Sequence, residues 1–208
     1  ASADGVNALG ALQGRFPRDP AVLEAYALAL GKDPQRGSEM LRVLDALFAA
    51  APDRVTDDKL GKLTLGAAMT PSTSQRAIDL MAGRMGVRGA ELLFDLVLSQ
   101  PEIRPRAKAA LDTPEVQRVL TPSLKISFDI YTASTCEARV KLLPQAVRDG
   151  DERTVGALTI FTLSMKRPCG YKNRQMCAAP PLCAANVADF NNAKTAIKNR
   201  LAGQPTKN

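Results

Sequence analysis

Histidine is absent from the 208 residues, and so is tryptophan. Without imidazole, Ser-His-Asp and Cys-His catalysis is closed to the chain, as is any zinc site that needs a histidine ligand. Aromatic residues make up only 4%. A core must therefore come from Leu, Ala, Val and Ile, which suits close-packed helices better than a β-sandwich. No apolar run approaches the roughly 18 residues of a transmembrane helix. Glycine-rich phosphate loops of the Gly-x-Gly-x-x-Gly and Walker types are missing. The carboxylates Asp57, Asp58, Glu137, Asp149, Asp151 and Glu152 fall where helix caps and first-turn charges belong, next to the positive end of a helix dipole. They do not read as an acid–base pair. Catalysis is not expected, nor is a cofactor or a metal ion.

What is present reads as helix. Asp19-Pro20, Asp33-Pro34, Thr70-Pro71, Thr113-Pro114 and Thr121-Pro122 each set a capping side chain before a proline. Asp or Thr can accept the free amides of a first turn, and proline at the first helical position lacks a donor that would have no partner. Apolar residues recur at helical spacing: Met40, Leu41, Leu44, Leu47 and Phe48; Ala90, Leu93, Phe94 and Val97; Val187, Phe190, Ile197 and Leu201. Leu92, Leu96 and Leu98 widen the second stripe, which predicts a helix buried on most sides. Helices are expected near 20–30, 36–50, 57–68, 73–84, 87–99, 102–111, 114–119, 123–132, 136–148, 151–164 and 185–201. The fold class is all-α: a degenerate α-solenoid or an irregular array of about ten short antiparallel helices. One domain spans 1–208, with flexible ends at 1–18 and 203–208 and a cysteine-bearing basic loop at 166–184. No alternating strand stands out. The opening ASADG has neither Met nor the apolar segment of a leader, as expected of a mature form or an excised piece.

The net charge of +7 is uneven. Residues 1–149 carry nineteen Lys and Arg against eighteen Asp and Glu; residues 150–208 carry nine against three. The excess concentrates around CGYKNRQMCAAPPLC, which holds three of the four cysteines. For Cys136, Cys169, Cys177 and Cys183 three states compete. A four-thiolate zinc site is disfavoured by the lack of a Cys-x-x-Cys knuckle, and free thiols are the plain alternative. Disulfides are favoured by geometry. Helices 136–148 and 151–164 would form a hairpin whose open end brings Cys136 near Cys169, leaving Cys177 to pair with Cys183. Such bridges imply an oxidising compartment. The loop they would hold carries Lys166, Arg167, Lys172 and Arg174 around the flat face of Tyr171, and these five are the expected contact residues for an acidic partner.

The stretch TPSLKISFDIYTASTCEARVKLLPQAVRDGDERTVGAL, followed by KRPCGYKNRQMC and a further cysteine, resembles the helical C-terminal region appended to eukaryotic-type serine/threonine kinases of myxobacterial type. RMGVRGAELLFDLVLSQPEIRPRAKAAL fits the same pattern, so the resemblance covers about residues 80–200. The last two cysteines stand further apart than in that pattern, and the kinase motifs themselves are absent. The resemblance implies an extracytoplasmic sensory region, periplasmic or held at a membrane by a segment outside this chain; free thiols would instead imply the cytoplasm. Two functions stay open. One is a non-catalytic signalling or protein-interaction module; the other is a helical binder of nucleic acid or an anionic polymer through its basic C-terminal face. The first is preferred, because few aromatics interleave with the basic residues.

Overall fold

The computed structural model describes residues 3–169 and 175–203, the side chains of residues 3, 165–169 and 175 excepted. Among these residues are twelve α-helices, three short 3-10 turns and one short hairpin, so the fold is all-α. Where the sequence suggests a single domain, the helices gather into two compact units, Ala1–Val119 and Leu120–Asn208.

The first unit holds α1 (Ala3–Arg15), α2 (Pro20–Leu30), α3 (Gly37–Ala50), α4 (Asp58–Met69), α5 (Ser74–Arg84), α6 (Gly86–Ser99), α7 (Arg104–Leu111) and α8 (Pro114–Gln117). Neighbours in sequence pack together: α1 on α2, α2 on α3, α4 on α5, α5 on α6 and α6 on α7. Local chemistry sets the starts. The Asp19 carboxylate accepts the amides of Ala21 and Val22 at 2.9 and 3.1 Å, and the Asp57 carboxylate accepts that of Lys59 at 2.7 Å. Asp33 caps a single 3-10 turn, Pro34–Arg36, rather than α3 itself. Thr70-Pro71 opens a turn, and α5 starts only at Ser74. The predicted stripes are buried. Met40, Leu41, Leu44, Leu47 and Phe48 line the inner face of α3, and Ala90, Leu93, Phe94 and Val97 on α6 are fully enclosed. Met85 alone separates α5 from α6, and Gly86 adopts φ +51°, a conformation that costs glycine little. Three residues on, a Cβ at Gly89 would fall on the carbonyl of Met81. Glycine there lets α5 and α6 approach backbone to backbone.

The predicted flexible start is corrected here, because residues 3–15 form α1. Val6 is buried, and the ring of Tyr26 lies against Gly10. This helix has no Pro-marked cap, and its apolar face is short, so its sequence signal is weak.

The second unit holds α9 (Pro122–Thr132), α10 (Cys136–Asp149), α11 (Glu152–Thr162), β1 (Met165–Cys169), β2 (Gln175–Ala179) and α12 (Val187–Ala202). Helix α9 packs on α10 and α11, and so does α12. Phe190 and Ile197 on α12 are fully buried, while Val187 and Leu201 are half-buried. Asp151 and Thr154 form a reciprocal capping box at the start of α11. The Thr154 hydroxyl also meets that of Ser127 at 2.7 Å in the interior, which pairs two polar groups that burial would otherwise penalise. Arg200 of α12 donates to the carbonyls of Val147, at 2.9 Å, and Gly150, closing the end of α10.

The predicted loop 166–184 is corrected in part. β1 and β2 pair antiparallel with Arg167 opposite Cys177 and Lys166 opposite Ala178. Neither MKRPC nor QMCAA alternates polar and apolar residues, and proline rarely sits inside a strand. The hairpin therefore leaves no periodic trace in the sequence.

Candidate functional site

Cys136 and Cys183 meet at the open end of the α10–α11 hairpin, where Cys136 and Cys169 were expected, so the pairing differs. Cys136, the first residue of α10, is bonded to Cys183, with 5.6 Å between their Cα atoms. The predicted pairs Cys136–Cys169 and Cys177–Cys183 are thereby both overturned. The reason lies in the hairpin: β1 leads the chain away from the end of α11, and β2 and the two prolines that follow bring it back. Cys183 returns to the helix ends, where its amide donates to the carbonyl of Phe161 at 3.1 Å. Cys183 is buried, and Cys177 is disulfide-bonded as well. Bridged sulfurs offer no thiolate to zinc.

Of the predicted contact residues, Tyr171, Lys172 and Arg174 lie outside the described residues. Lys166 and Arg167 lie on β1, with only their backbone described. Other basic residues of the C-terminal unit are engaged within it. Lys194 donates to the Thr162 hydroxyl at 2.9 Å, and burial, with Lys198 nearby, lowers its pKa. Arg139 lies 3.9 Å from the centre of the Phe161 ring and donates to the carbonyl of Ile130. Arg200 holds the end of α10 as described above. The excess of positive charge is thus partly built into the packing.

A groove that the sequence did not announce lies on the first unit, between α3 and α5. It measures about 420 Å³. Leu41 and Leu80, both buried, form its floor, and Gly83 leaves it open on the α5 side. Charges of both signs border it: Asp45, Arg76, Asp79 and Arg84. Arg84 donates to Asp45 across the groove at 2.8 Å, and Gln75 donates to Asp79 at 2.9 Å. An apolar floor inside a polar rim is how protein interfaces are commonly built. The sequence signal was present in outline. Arg76, Asp79 and Gly83 fall on one helical face beside Leu80, but a glycine in a helix does not by itself mark a groove.

A third cluster joins α2 to α3. The Tyr26 hydroxyl donates to Glu39 Oε1 at 2.6 Å, Arg36 Nε donates to Glu39 Oε2 at 2.8 Å, and Arg36 Nη2 reaches the Tyr26 oxygen at 3.1 Å. The Tyr26 hydrogen bond, followed by Arg36, holds the Glu39 carboxyl below its ordinary range against the opposing effect of burial. Burial, then Glu39, raises the pKa of Tyr26. A carboxylate with a depressed folded-state pKa stabilises above its unfolded-state value, and that stability is lost as pH falls through the folded-state value. Tyr26→Phe removes the largest lowering influence. Its stability should fall less steeply on acidification than that of the parent, as checked by urea titrations between neutral and acidic pH. Equal slopes would place the depression elsewhere.

Comparison of the chain with protein-family models, with curated proteins and with solved structures finds no match. The resemblance to the kinase-appended region therefore rests on the quoted stretches alone.

Proposed function

We propose that this chain is a non-catalytic helical interaction module that acts in an oxidising, extracytoplasmic setting, as the sensory part of a signalling protein. The α3–α5 groove carries the reading. Its two buried leucines and four bordering charges suit a peptide segment that presents one apolar side chain flanked by residues of both signs. Closure of Cys136 and Cys183 into a disulfide supports the oxidising compartment. The absence of histidine supports a non-catalytic role. The alternative, a binder of nucleic acid or an anionic polymer, is weakened by the intramolecular contacts of Lys194 and Arg200, since phosphate binding draws on free basic side chains.

Gly83→Leu tests the groove. A Cβ at Gly83 meets nothing within 4 Å, so the branch point of the new side chain has room at the edge of the groove. Helix propensity favours the change by about 1 kcal/mol. The variant should melt no lower than the parent. Peptides selected from a random display library on the parent protein should bind the variant at least about tenfold more weakly, a change of roughly 1.4 kcal/mol. A library that yields no binder, or binders indifferent to Gly83→Leu, would remove the groove as a recognition site.

A further inference from the structure

In a stacked helical array an outermost helix turns a polar face to solvent. Helix α1 does not. It packs on α2, and of residues 4–15 only Val6 is buried. On the side away from Val6, the side chains of Asp4, Ala8, Ala11 and Arg15 are all exposed. Their spacing of four, three and four residues sets them in one line, as along the seam of a coiled coil. Leu12 and Phe16 border that line and are 39% and 49% exposed. The Phe16 amide donates to the carbonyl of Leu12 at 2.8 Å, so the helical turn carries through to Phe16. Two large apolar side chains therefore stand in solvent beside two small ones. The line is charged at its ends, with Asp4 in the first turn of α1 and Arg15 in the last. At about 1.5 Å of rise per residue they are roughly 16 Å apart, too far to pair with each other. Among the described residues neither forms an ion pair with any other group. The Arg15 guanidinium lies 5.8 Å from the centre of the Phe16 ring, at the same end of the face.

We propose that this face binds a second copy of the chain, α1 against α1, antiparallel about a two-fold axis. Charge sets the direction. Antiparallel pairing puts Asp4 of each copy opposite Arg15 of the other, so both end charges are matched twice over. Parallel pairing would set Asp4 against Asp4 and Arg15 against Arg15, and like charges repel. The antiparallel register also sets Ala8 opposite Ala11, and side chains that small let two helices approach closely. Leu12 and Phe16 of each copy then close over the flanks and leave water. A face complementary to itself under a two-fold rotation is what a closed dimer needs. Four facing positions and two flanking side chains fall short of the roughly 20–30 residues a side of a stable interface. The dimer is therefore weak and reversible. None of these residues borders the α3–α5 groove, so failure of either reading leaves the other in place.

The test is sedimentation of the full chain at low salt, from about 10 μM to about 1 mM, a range that reads weak association. The parent should pass from monomer to dimer, and added salt should weaken the dimer because the pairs are exposed. Asp4→Arg sets two arginines opposite each other in both end layers, and Arg15→Asp sets two aspartates there. Each variant alone should associate at least about tenfold more weakly than the parent. An equal mixture of the two restores opposite charges at both ends and should dimerise about as tightly as the parent. Amide resonances of residues 4–15 check that α1 stays helical in both. Asp4→Asn and Arg15→Gln, which keep shape and remove charge, should each weaken association about threefold. A parent that stays monomeric throughout the range would overturn the proposal. So would a dimer indifferent to the charge reversals, which would place the contact on another face. A mixture no tighter than either variant alone would overturn it as well, since the antiparallel register requires that rescue.

Discussion

Val97→Asp should unfold the first unit under conditions where the parent is fully folded. Val97 is fully enclosed in α6, the helix that packs on both α5 and α7. A carboxylate there must ionise without solvent or take up a proton to avoid doing so, and both are costly. The expected loss is about 4–5 kcal/mol, comparable with the total stability of many domains, about 5–15 kcal/mol. Val97→Ala separates charge from volume. It removes two methyl groups at about 0.8 kcal/mol each and leaves a small cavity, for about 2 kcal/mol in all. Urea denaturation of both variants, with hydrogen exchange to locate the loss within residues 3–119, measures the difference. A Val97→Asp variant within about 1 kcal/mol of the parent would mean that Val97 is not in the core.

The helices were legible because two independent signals agreed. Pro-marked caps fixed starts at Pro20, Pro114 and Pro122, and heptad-like spacing fixed the buried faces of α3 and α6. The sequence placed those faces correctly because Leu, Val and Phe at helical spacing leave few other ways to hide apolar surface. Helix α1 has neither signal and was missed. The hairpin was missed because its order comes from pairing and cross-linking rather than from side-chain alternation. The α3–α5 groove was illegible for a different reason. It is defined by what neighbouring helices fail to fill, and a gap between surfaces has no sequence period. Gly83 takes on meaning only once the facing helix is known.

The cysteines show how far sequence geometry reaches. Placing Cys136 at the open end of the α10–α11 hairpin was correct, but the choice of partner depended on the path of the intervening chain. Removal of the bridge with Cys136→Ala and Cys183→Ala together should destabilise the second unit strongly. The two residues are 47 apart in sequence, and releasing a loop of that length from the unfolded chain corresponds to about 4 kcal/mol in the chain-entropy account. Alanine is preferred to serine because Cys183 is buried and a hydroxyl there would need a partner. Hydrogen exchange should show lost protection in α10 and α12 and unchanged protection in α3 and α6. The double variant is a sharper probe than a reductant, which would also open the bridge at Cys177. Non-reducing peptide mapping supplies the direct check. Cleavage after Leu182 separates Cys177 from Cys183, and the fragment that begins at Cys183 should then remain joined to the one carrying Cys136. A Cys136–Cys169 link, or full stability of the double variant, would show that the chain closes its C-terminal unit in another way.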